Sequence, residues 1–165
     1  MGVPSPQEVA AWVRLELLST ETLPMTAAHW LVDGYDGEAL RTLAGLGTRD
    51  LHDIREVLPA ALADCGVSIP ESVTEAAHLD FVRIARAFQA GEFSVAAVLS
   101  QVVPVTDFCG DPGHPLRGLP MSRLDEYTYG YWGEAWEPTE AELAAAVREA
   151  CAEELALDYP RGVGE

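Results

Sequence analysis

The stretch SVTEAAHLDFVRIARAFQAG, residues 72–91, decides the fold class. Val73, Ala77, Phe81, Ile84, Ala85 and Phe88 recur at the three- and four-residue intervals that place side chains on one face of an α-helix. Ser72 followed by Glu75 has the form of a capping box, and Gly91 after Ala90 is a stop signal, so the spacing predicts a helix ending at Ala90. Ser68-Ile69-Pro70-Glu71 is a second, overlapping start signal that leaves the first turn ambiguous.

The same signals extend toward the N-terminus. Ser5-Pro6-Gln7-Glu8 is a capping box with proline just inside, and Val9, Trp12, Val13 and Leu17 follow at helical spacing, predicting a helix over 6–18. Met25 to Val32 reads as a short apolar helix closed by Asp33-Gly34. Asp36 is the expected cap of a helix from Gly37 that buries Ala39, Leu40, Leu43 and Ala44. Thr48 is the expected cap of the next, which turns Leu51, Ile54, Val57 and Leu58 inward. Pro59 should kink or break it near Val57, because proline cannot make the inward bond. A further turn or two then runs to Asp64.

Toward the C-terminus, Ser94 caps another segment, in which Val95, Val98, Val102, Val103 and Val105 are branched enough to leave a strand pair near 98–108 open. Residues 104–121, PVTDFCGDPGHPLRGLPM, predict a long irregular loop. Thr139-Glu140-Ala141-Glu142 opens a last helix over 140–157 with Leu143, Val147, Ala150, Cys151 and the Glu154-Leu155 turn. The expectation is an all-α chain: one domain over 1–165, an irregular bundle of about six to seven helices.

Charge is the most unusual bulk property. Acids number 27 against 10 basic residues, all arginine, for a formal net charge of -17. Such a surface repels phosphate backbones and anionic lipid heads and attracts basic surfaces. The expected partner is therefore a basic protein, with no nucleic acid and no membrane. No segment approaches the roughly 20 consecutive apolar residues of a membrane span. MGVPSPQEVA lacks the basic start and apolar run of a secretory signal, so a cytoplasmic location is expected.

The chemistry-bearing residues form no complete motif, and no cofactor or catalytic set is expected. Glu75 and His78 lie three apart on one helical face, but a carboxylate-bridged bundle needs a second Glu-x-x-His, which the chain lacks. Asp107, Cys109, Asp111 and His114 crowd the loop at a spacing that matches no closed four-ligand site, so no metal is expected; a metal-dependent or small-molecule enzyme using 107–114 is the alternative. His29 and His52 have no partner at a chemical spacing. Residues 37–58 have the outline of a helix-turn-helix DNA reader, yet Arg49 and Arg55 are offset by Asp50, Asp53 and Glu56, and the net charge opposes it.

The segment 125–138 interleaves aromatic residues and acids. Tyr127, Tyr129, Tyr131, Trp132 and Trp136, with Glu134, are the candidate partner-binding residues, because such rings join contact area to a polar handle. Over residues 30–46, Trp-Leu-Val-Asp-Gly-Tyr-Asp-Gly-Glu-Ala-Leu-Arg-Thr-Leu-Ala-Gly-Leu, the chain resembles a group of small acidic helical bacterial proteins of mostly unassigned function, some regarded as immunity partners of polymorphic toxins. The likeness covers roughly residues 26–65. It implies a helical protein, without chemistry of its own, that covers a toxin's active or substrate surface.

Overall fold

In the computed structural model, which describes residues 2–108, 113–119 and 139–157, the described residues contain seven α-helices and no strand. They are α1 (Pro6–Arg14), α2 (Leu23–Val32), α3 (Glu38–Gly45), α4 (Leu51–Asp64), α5 (Val73–Gln89), α6 (Val95–Phe108) and α7 (Glu140–Ala156). Short 3-10 turns occupy Thr20–Thr22 and Pro115–Gly118. None of the helices is long and apolar enough to cross a membrane. The chain groups into two units, Met1–Ala76 and Ala77–Glu165.

In the first unit the Ser5 capping box forms: Ser5 Oγ accepts the Glu8 N–H, and the Glu8 carboxylate accepts the Ser5 N–H. The helix stops four residues short of the expected 18. Leu17 N–H bonds Trp12 C=O at 3.0 Å and Glu16 N–H bonds Val13 C=O at 3.3 Å, the pattern that closes a helix with a left-handed residue. That residue is Glu16, at φ 55°, where glycine is the usual occupant.

Trp30 centres the core of this unit. It is 1% exposed, packs among Leu40, Leu43, Ile54 and Leu62, and donates its indole N–H to Pro4 C=O at 2.8 Å. α3 lies against both α2 and α4. The cap of α3 comes from afar: Asp64, the last residue of α4, accepts the Leu40 N–H at 3.0 Å, whereas Asp36 pairs with Arg41 in solvent. Glycine at 37 leaves room for that cap, since a Cβ there would collide with the Asp64 side chain.

α4 departs from expectation at both proline and cap. Asp50, not Thr48, stands at its N-cap, because the Asp50 carboxylate accepts the Gly47 N–H at 2.9 Å and closes the preceding turn. The helix runs unbroken through Pro59. The bond Pro59 cannot make belongs to the carbonyl of Arg55, four residues earlier, and both residues are exposed, so water can satisfy that carbonyl.

In the second unit α6 repeats this solution. It continues through Pro104 to Phe108, so residues 104–108 are helix and not loop or strand; Ser100, whose carbonyl Pro104 leaves without its helical partner, is exposed. Val98, Leu99, Val102 and Val105 are buried at helical spacing, and that burial outweighs their extended preference. At the start of α5, Ser72 Oγ accepts the Glu75 N–H at 3.0 Å, which selects the second of the two overlapping start signals. α7 opens on the Thr139 capping box, in which hydrogen bonds from the Thr139 backbone N–H and hydroxyl hold the Glu142 carboxyl below its usual range. It packs on α6 and on the 3-10 turn Pro115–Gly118.

Two substitutions should shift stability in opposite directions in urea unfolding followed by circular dichroism. Asp64→Ala removes the tertiary cap and should cost about 1 kcal/mol. Glu16→Gly relieves the left-handed strain and should add roughly 0.5–1 kcal/mol.

Candidate functional site

The apolar stripe of α7 carries an acid. Leu143, Val147, Ala150 and Cys151 are buried on that face, and the next position on it is Glu154, which is 0% exposed. An ionised carboxylate in such a place requires a donor or a positive charge. His114, at the N-cap of the Pro115–Gly118 turn and 3% exposed, supplies the partner: its Nδ1 lies 2.7 Å from Glu154 Oε1, and the two atoms share one hydrogen.

A second imidazole faces the same oxygen. His78, on α5 beside the buried Ala77 and one turn before Phe81, places Nδ1 3.8 Å from Glu154 Oε1. The rings of His78 and His114 lie 5.7 Å apart between centroids, and Phe81 covers His114 at 4.8 Å. Glu154 Oε2 is buried and has no hydrogen-bond partner among the described residues. Burial, and then the neighbouring His114, lower the His78 pKa from its ordinary value near 6.5, while Glu154 opposes them. The net direction favours the neutral ring, the form that offers a lone pair.

Two neighbouring groups are satisfied or inert. Asp80, 2% exposed, is matched by Arg83 Nε at 2.6 Å, and Arg83 also donates to Gln101 Oε1 at 3.1 Å. Cys151, one turn before Glu154, has its thiol pushed up to about 11 by burial and by the Glu154 charge. It is no nucleophile at neutral pH.

Of the loop residues singled out in sequence, His114 therefore joins a site; Asp107 is exposed, and Cys109 and Asp111 lie outside the described residues. Glu75 does not join His78: its carboxylate accepts the Glu71 N–H at 3.2 Å. His29 and His52 are exposed, and His52 Nε2 is 3.9 Å from Glu56 one turn on. The candidate binding residues Tyr127, Tyr129, Tyr131, Trp132, Glu134 and Trp136 also lie outside the described residues. Glu154 was missed by motif search. Its signal was a charge on the inward stripe of a helix.

The first unit presents a surface of a different kind. Met25 and Val32 are 67% and 83% exposed, the two most exposed large hydrophobic residues described, and they lie seven residues apart on one face of α2. Exposed His29 lies between them, and exposed Glu21 and Asp33 flank the stripe in sequence. α3 and α4, the outline of the DNA reader, pack on each other, and the exposed Arg49 and Arg55 stand among exposed Asp50, Asp53 and Glu56.

Comparison of the chain with protein-family models, with curated proteins and with solved structures gives no match.

The Cys151 thiol gives a direct check on the environment of Glu154. At pH 8, a pKa about two units above the ordinary 9.0 should slow iodoacetamide alkylation at Cys151 by about a hundredfold relative to the urea-unfolded chain, read by peptide mass spectrometry. Equal rates in the two states would contradict the buried placement.

Proposed function

We propose that the chain is a non-catalytic acidic binding protein that recognises a basic protein partner and covers part of its surface, as an immunity protein covers a toxin. The observation that carries this reading is the apolar stripe Met25–Val32 on α2, set in a chain of net charge -17. Isolated exposed hydrophobic residues need no explanation, but two on one helical face, with acids at either end, fit an amphipathic basic segment. The apolar stripe supplies the anchor and the acids supply register and encounter rate. The resemblance over residues 30–46 favours the immunity-like form of this reading, and the aromatic segment 127–136 offers a second anchor set on sequence grounds.

A synthetic lysine–leucine amphipathic helix is a sufficient probe. Calorimetric titration should show binding that weakens by more than about tenfold in the Met25→Ser/Val32→Ser variant. It should weaken again as salt rises from about 0.05 to 0.3 M. A loss seen only with Tyr131, Trp132 and Trp136 all replaced by alanine would move the anchor to 127–136. Equal affinity of the wild type for an acidic helix would contradict the reading.

A further inference from the structure

We infer that His78, His114 and Glu154 form a binding site for one divalent first-row transition-metal ion of the zinc type. This goes beyond the partner-binding reading and does not depend on it. The three residues come from α5, from the turn before Pro115–Gly118 and from α7, and each offers one donor atom, all within 4.8 Å of one another. Segments so distant in sequence have no local reason to bring three metal-ligating groups to one point.

The donor set selects the kind of ion. Two imidazole nitrogens and one carboxylate oxygen suit zinc and its neighbours, whereas calcium takes six to eight oxygens. With bonds of about 2.0–2.2 Å, donors around a tetrahedral ion stand roughly 3.4 Å apart. The observed separations from Glu154 Oε1, 2.7 Å to His114 Nδ1 and 3.8 Å to His78 Nδ1, lie on either side of that value. Each lies within about 0.7 Å of it. The ion takes the place of the hydrogen that His114 Nδ1 and Oε1 now share. Three protein donors leave a coordination position for water or a partner's side chain.

A purely structural ion pair accounts for less of what is present. It needs one imidazole, and His114 suffices. His78 brings a second ring nitrogen toward the same oxygen, its Nδ1 at 3.8 Å lying beyond hydrogen-bond reach but near the donor spacing of a shared ion. Among the described residues Glu154 Oε2, on a side chain 0% exposed, has no hydrogen-bond partner. A cation held by Oε1 and the two Nδ1 atoms accounts for the convergence of both rings on one carboxylate.

The other described cluster, His52, Asp53 and Glu56, is wholly exposed on one helix and serves as the control. The full chain, purified without chelator, would be dialysed against zinc with excess magnesium to saturate loose acidic sites, and its zinc counted by atomic emission. The expected result is one equivalent per chain, with cobalt(II) in its place giving the visible bands of a four-coordinate ion. His78→Ala and Glu154→Gln should each weaken zinc by more than about tenfold, and His52→Ala should leave it unchanged. His78 is partly exposed, so His78→Ala decides the matter if Glu154→Gln fails to fold by circular dichroism. Less than about a tenth of an equivalent in the wild type would overturn the site. So would several loosely held equivalents that His78→Ala does not alter, or a loss caused by His52→Ala.

Discussion

A carboxylate taken out of water has to be met by something, and Glu154 is the group on which the second unit turns. Its side chain is 0% exposed on a stripe that otherwise holds Leu143, Val147, Ala150 and Cys151. Leaving its charge uncompensated would cost several kcal/mol, on the order of what a whole domain has to spare. The 2.7 Å contact from His114 is the compensation, and it fixes where the turn before Pro115–Gly118 must lie relative to α7. Phe81 on α5 then closes over the imidazole.

The same constraint orders the rest of the chain. With 27 acids, 10 arginines and no lysine, most carboxylates can only remain in solvent, where they repel one another and attract basic surfaces. Three of those held by a structural contact show how different the chemistry of each can be. Asp64 is met by the backbone N–H of Leu40 at the open end of α3. Asp80 is met by Arg83, and Glu154 by imidazole. Two of these contacts also join one element to another, Asp64 in the first unit and Glu154 in the second. Polar groups that look like surplus charge in the composition are thus part of how each unit is positioned.

How much of this was legible depended on whether the deciding contact was local. The boxes Ser5/Glu8 and Thr139/Glu142 close within one turn, and both were readable. The helical stripe of α5 was equally plain, since Ala77, Phe81, Ile84 and Ala85 are all buried. Pro59 and Pro104 were misleading, because the cost of proline falls on the carbonyl four residues earlier, and the exposure of Arg55 and Ser100 is a tertiary fact. The cap of α3 could not be read either: Asp36 is adjacent in sequence, but Asp64 is adjacent in space. In the candidate site, His78 and His114 belong in sequence to separate weak motifs. What unites them is Glu154, 76 residues beyond His78 and hidden among apolar neighbours. The aromatic segment 127–136 lies outside the described residues, and the exposed pair Met25 and Val32 on α2 is a feature that composition had not marked.

A cation seated by two imidazoles and a buried carboxylate in the second unit would be visible to diffraction. Anomalous diffraction above and below the zinc absorption edge, from crystals grown with one equivalent of zinc, tests it most directly. The expected result is a single strong peak within bonding distance of His78, His114 and Glu154. A peak at His52 and Glu56, or a hydrogen-bonded His114–Glu154 pair with no anomalous signal beside it, would contradict it.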